Sequence, residues 1–71
     1  MKEKILYTVK EVADIIHTNP TYVYKLIKLG LLPALKLGSY KIRHESLMAF
    51  LESNEGFDLT DPSNVSVITV D

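Results

Sequence analysis

Two helix-start signals stand close together near the beginning of the chain, and together they limit what it can fold into more than any other feature. Thr8-Val9-Lys10-Glu11 has the form of a capping box. In that arrangement the Thr8 hydroxyl takes the Glu11 amide proton, and the Glu11 carboxylate reaches back to the Thr8 amide. Behind it, Val9, Val12, Ala13 and Ile16 recur at i, i+3, i+4 and i+7, which predicts a short helix running to about His17. In His17-Thr18-Asn19-Pro20, Asn19 is a favoured N-cap, and Pro20 suits the first helical position, where its missing N–H costs nothing. The residues from Thr21 to Leu29 then set Val23, Leu26 and Ile27 on one side, with Gly30 placed to end the helix. Two short helices joined by a tight turn follow, each with a single apolar stripe to bury.

After Gly30 the pattern becomes extended. Leu35-Lys36-Leu37 and Tyr40-Lys41-Ile42-Arg43 alternate apolar and polar residues around Gly38-Ser39. A two-residue connection with Gly first suits a type II′ hairpin turn, so a small two-stranded wing is expected, with Leu35, Leu37 and Ile42 on its buried side. An isolated hairpin is marginal in water, so the wing must lean on the helices. A third helix is expected from Glu45 to Ser53, with Leu47, Phe50 and Leu51 as its apolar stripe. The expected fold class is therefore mainly α with a small β-hairpin wing, a winged helix-turn-helix occupying residues 1–53. Residues 54–71 read as an acidic C-terminal tail. Glu55-Gly56 breaks the helix, Asp61-Pro62-Ser63-Asn64 reads as a turn, and Val65 to Val70 alternates as a β-branched strand. The residues leave its partner open: the wing, a second copy of the chain, or none, with the tail mobile.

Charge bears on function only once it is divided. The 71 residues carry 8 basic and 9 acidic groups, a formal −1, and a near-neutral total argues mildly against a nucleic-acid binder. The distribution argues the other way. Between Ile15 and His44 there is no acid, while Lys25, Lys28, Lys36, Lys41 and Arg43 all fall there; Glu55, Asp58, Asp61 and Asp71 fall in the tail, which has no base. Cations of this kind bind phosphates through counterion release. The two-helix spacing matches a helix-turn-helix, whose second helix can enter the DNA major groove. With Val23, Leu26 and Ile27 inward, Thr21, Tyr22, Lys25 and Lys28 face outward. Lys25 can donate to guanine, the Thr21 methyl can meet a thymine methyl, and the Tyr22 hydroxyl can reach a phosphate. Asn19 is chiefly an N-cap beside helix-start amides that suit a phosphate. Lys41 and Arg43 alternate with Ile42 and belong on the solvent face of the wing. The candidate DNA-binding set is thus Asn19, Thr21, Tyr22, Lys25, Lys28, Lys41 and Arg43, with Tyr24 read as packing at the core edge and Tyr22 open between such packing and DNA contact. A protein-interaction module, using the basic face and the acidic tail, is the alternative. The tail itself suggests either weakening of non-specific DNA binding by its charge or self-association through its strand.

Other functions find no support in the residues. The chain has no Cys, and His17 and His44 are too few and too far apart to suggest a zinc site, so no metal or cofactor is expected. No apolar run approaches the length a membrane helix needs, and Met1 to Tyr7 lacks the apolar stretch of a signal peptide, which leads to the expectation of a soluble, cytoplasmic protein. Ser39, Ser46, His17 and His44 form no nucleophile–base pattern, so no enzymatic activity is expected. The histidines, at helix boundaries, read as solvated or capping residues. Asp58 and Asp61 read as local hydrogen bonding in a turn-rich segment.

The order of these pieces resembles the excisionase-type, MerR-like winged helix-turn-helix family. The resemblance rests on Tyr7-Thr8-Val9-Lys10-Glu11-Val12-Ala13, then Tyr22 to Gly30, Leu32-Pro33-Ala34-Leu35-Lys36-Leu37-Gly38, Tyr40-Lys41-Ile42-Arg43 and Leu47-Met48-Ala49-Phe50-Leu51. It departs from the family pattern at Tyr22, where many relatives carry Ser or Thr, and in a short wing turn without basic residues. The resemblance implies double-stranded DNA as partner, and action with an integrase or recombinase or as a compact transcriptional regulator. One domain this small makes few base contacts, so self-association on DNA is also expected.

Overall fold

The chain enters its first helix straight from a strand. In the computed structural model, which describes residues 5–68, β1 (Leu6–Thr8) runs directly into α1 (Val9–Ile15). There follow α2 (Pro20–Lys28), β2 (Leu35–Leu37), β3 (Ser39–Arg43), α3 (His44–Asn54), β4 (Phe57–Asp58) and β5 (Ser66–Val67). The described residues thus form three helices, an antiparallel sheet of order β1-β3-β2 and a separate two-stranded β4-β5 pair.

Both caps expected at the helix starts are present. Thr8 Oγ1 accepts from the Glu11 amide at 3.1 Å, and Glu11 Oε1 accepts from the Thr8 amide at 2.9 Å. Asn19 Oδ1 accepts from the Tyr22 amide at 2.9 Å, with Pro20 opening α2. The helix ends share a single device. At the end of α1 the Thr18 amide reaches the Ala13 carbonyl at 2.8 Å and the His17 amide reaches Asp14 at 3.3 Å. At the end of α2 Leu31 reaches Leu26 and Gly30 reaches Ile27, both at 3.0 Å. These are paired Schellman bonds, which require a left-handed residue just past the cap. Gly30 supplies it at φ 79°, and His17 supplies it at φ 60°. The first helix therefore ends two residues before His17.

Strand β1 went unseen in the sequence because three residues are too few to show a period of two. It pairs with β3 in the register Leu6↔Arg43, Tyr7↔Ile42 and Thr8↔Lys41. The hairpin register also differs from expectation. A Gly38-Ser39 turn would set Leu37 opposite Tyr40 and Leu35 opposite Ile42. Instead Leu37 pairs with Ser39, Lys36 with Tyr40 and Leu35 with Lys41, leaving Gly38 alone at the tip with φ 79°. A shift of one residue moves every side chain of the strand to the other face. Leu35 and Leu37 consequently lie away from the core, at 43% and 60% exposure, while Ile42 is fully buried. The expectation that all three share a buried side is corrected to Ile42 alone.

The core lies between the sheet and the helices. Val9, Val12 and Ala13 of α1, Val23 and Leu26 of α2, Leu32, Ile42, and Leu47 and Phe50 of α3 are buried. Leu51, expected in the α3 stripe, is instead 39% exposed and borders an open groove beneath the tail. The start of α3 is satisfied from β1, since the His44 amide donates to the Ile5 carbonyl at 2.8 Å. His44 is half-buried, and its Nδ1 lies 2.8 Å from the Tyr7 hydroxyl, so it ties β1 to α3 rather than standing in solvent.

The tail folds back on itself. Gly56, at φ 95°, turns the chain out of α3, and β4 pairs with β5 in the register Phe57↔Val67 and Asp58↔Ser66. Of the partners left open by the sequence, the strand takes none; it pairs with the beginning of the tail. Thr69 and Val70, the expected end of that strand, lie outside the described residues.

Candidate nucleic-acid interface

The outer side of α2 is built by spacing alone. Thr21, Lys25 and Lys28 stand at i, i+4 and i+7, which places them in one row on a helix. All three are exposed, while Val23 and Leu26 on the opposite side are buried. Asn19 is exposed at the N-cap of the same helix, its Oδ1 engaged with the Tyr22 amide. Four of the seven sequence-derived residues thus belong to α2 and its N-cap, three of them in one exposed row along the helix.

The two tyrosines of α2 mark its flanks. Tyr24 meets Tyr40 of β3 edge-on, with ring centroids 6.0 Å apart. Lys36 Nζ stands 4.7 Å from the Tyr40 ring centroid, a cation–π geometry. Lys36 belongs to the acid-free basic run and stands outside the candidate set that spacing defines. The sheet register brings it beside α2, because Lys36 and Tyr40 are paired on the face that also carries Ile42. The signal available in sequence was the turn: a register closed on Gly38 alone would have paired these two residues. Lys41 and Arg43 lie on the other face of the sheet. Lys41 Nζ donates to Ser39 Oγ at 2.7 Å, and the Arg43 guanidinium is 3.6 Å from the Glu45 carboxylate in an exposed pair. Such a pair contributes little and leaves Arg43 available to another anion.

Tyr22 marks the other flank, and there the outward orientation expected from spacing is corrected. It is half-buried, and its hydroxyl donates to the Leu59 carbonyl of the tail. Burial raises the Tyr22 pKa above the ordinary tyrosine value, and the charges of Asp58 and Asp61 raise it further, so the hydroxyl remains a donor at neutral pH. Both carboxylates are held below their ordinary range by hydrogen bonds. Asp58 accepts from the Thr60 hydroxyl and amide at 2.6 and 2.9 Å; Asp61 accepts from the Ser63 hydroxyl and amide at 2.6 and 3.2 Å. Lys25 adds a small further lowering at Asp61, which places that carboxylate within electrostatic reach of the α2 face.

The site therefore offers a row of one hydroxyl and two ammonium groups on an exposed helix, with a third ammonium held alongside by an aromatic pair. Ammonium groups donate hydrogen bonds and accept none, which suits phosphate oxygens and purine acceptors. Among the described residues no helix is long and apolar enough to cross a membrane, and no group of three or more His, Asp or Glu side chains is placed to hold a metal ion. Comparison with curated proteins and with solved structures gives no match. A family model does match: that of the helix-turn-helix domain, over residues 6–55, from β1 to the end of α3. Domains of this kind point to DNA as partner and are typically non-enzymatic. With the match spanning most of the chain, the protein belongs to the helix-turn-helix domain family.

Proposed function

We propose that this protein binds double-stranded DNA sequence-specifically as an excisionase-like winged helix-turn-helix protein of the cytoplasm. In this reading residues 1–53 are the reader and residues 54–71 a separate acidic tail. Helix α2 enters the major groove, where Thr21 and Lys25 face base edges and Lys28 and Asn19 meet phosphates. The β2–β3 hairpin acts as the wing, with Lys41 and Arg43 toward the backbone on one face and Lys36 on the other, toward α2. The observation that carries the reading is the exposed row Thr21, Lys25 and Lys28 in a stretch that contains no acid from Ile15 to His44. A domain with so few base contacts reaches useful specificity by binding in several copies or beside a second protein, and an integrase or recombinase is the partner that the excisionase resemblance supports. An integrase gene next to this one would favour directing recombination over regulating transcription.

The test is charge reversal on the row itself. Replacing Lys25 and Lys28 together by Glu turns two attractive contacts with DNA, one to a base edge and one to a phosphate, into repulsive ones, so affinity for duplex DNA should fall about 100-fold or more. Circular dichroism should keep its helical signal, since both side chains are exposed. Unchanged affinity in a folded variant would place the DNA face elsewhere.

A further inference from the structure

We propose that the tail is an autoinhibitory strap, an acidic hairpin seated on the Tyr22 flank of α2 that DNA must displace to dock. The proposal rests on the DNA-binding reading of α2 and concerns how that same face is regulated.

The seat is specific. The Tyr22 hydroxyl donates to the Leu59 carbonyl, Leu59 is half-buried against the core, and Pro62 is buried. The hairpin is closed by its β4-β5 pairing and by the Ile68 amide, which donates to the Gly56 carbonyl at 3.0 Å. Asp58 and Asp61 are locked in their turns by Thr60 and Ser63, so their charges have fixed positions next to Tyr22. Those hydrogen bonds hold both carboxyls below their ordinary range, and Lys25 adds a smaller lowering at Asp61. A phosphate approaching the Thr21–Lys25–Lys28 row from this side meets two fixed carboxylates and a tyrosine already committed.

The seat is also shallow. Apart from Leu59 and Pro62 every described tail residue from Glu55 onward is exposed, including Phe57, Val65, Val67 and Ile68. Between the tail, α3 and Tyr22 lies an open groove of about 860 Å³ bordered by Phe50, Leu51 and Phe57. Few contacts would be lost on lifting the strap, and Gly56 provides a backbone position able to turn.

The test uses the full chain. Asp58→Asn with Asp61→Asn keeps the carbonyl oxygen that accepts from Thr60 and Ser63 but removes both charges. Glu52→Gln with Glu55→Gln makes the same change in net charge at the end of α3, on the border of the groove but outside the two anchored turns. In about 0.1 M salt, where the Debye length is about 10 Å, the aspartate variant should bind duplex DNA about 3- to 10-fold more tightly than the parent, and the glutamate variant less than twofold. Amide exchange across residues 57–68 should quicken when DNA saturates the parent protein. Equal affinities for parent and aspartate variant would overturn the strap, as would an equal gain from the glutamate variant. Tail exchange that is unchanged or slowed by DNA would also overturn it. Failure of every variant to bind DNA would instead remove the reading of α2 on which the strap depends.

Discussion

At the scale of single residues, His17 carries the clearest backbone cost among the described residues. It holds a left-handed conformation, at φ 60°, in the position that Gly30 occupies at the end of α2. An L residue with a Cβ is less comfortable there than glycine, by roughly 1–2 kcal/mol before the greater freedom of glycine in the unfolded chain is set against it. His17→Gly should therefore stabilise the protein by about 0.5–1 kcal/mol, a rise of roughly 2–8 °C in Tm for a domain of this size. Thermal unfolding measures it, and a lower Tm would show that the imidazole makes a compensating contact. Residue-scale features written in local spacing were legible from the sequence. The Thr8–Glu11 box and the Asn19–Pro20 start follow from side chains three residues apart or fewer, and the structure holds both. The role of Tyr22 was not legible, because its partner Leu59 lies 37 residues away and no local rule connects them.

At the scale of elements, the β2–β3 hairpin shows how one turn residue changes the assignment of a whole strand. The alternation Leu35-Lys36-Leu37 correctly marks an extended segment, and it is silent about which face meets the core. Closing the turn on Gly38 alone, with Leu37 opposite Ser39, sends both leucines outward and makes Ile42 the strand residue that packs inward. The consequence is a contrast between two small changes. Ile42→Val removes one methylene from a fully buried site and should cost about 0.5–1.5 kcal/mol, whereas Leu37→Ala should stay within about 0.5 kcal/mol. Denaturant unfolding of the two variants decides it, and a larger cost at Leu37 would mean that the hairpin adopts the other register in solution. The same register explains why Lys36 joins the α2 face while Lys41 and Arg43 lie on the reverse of the sheet. Strand β1 is an element of another kind, three residues given meaning only by their partner β3.

At the scale of the whole molecule, the formal −1 conceals two regions of opposite sign, and the fold brings them together. The basic stretch and the helix-turn-helix order were both readable in the sequence, and the family match over residues 6–55 agrees with that order. That the acidic tail lies against α2 was not readable, since charge composition does not say where a turn will rest. Its position bears on every affinity measured with this chain: the tail's charges oppose DNA while the five cations from Lys25 to Arg43 favour it. The most direct measurement is the dependence of duplex-DNA affinity on salt, followed with the purified protein between about 50 and 200 mM. If Lys28, Lys36, Lys41 and Arg43 meet phosphates while Lys25 meets a base edge, log K should fall linearly against log salt with a slope of about −3 to −4. No binding at micromolar protein in about 50 mM salt, or an affinity indifferent to salt, would contradict the account.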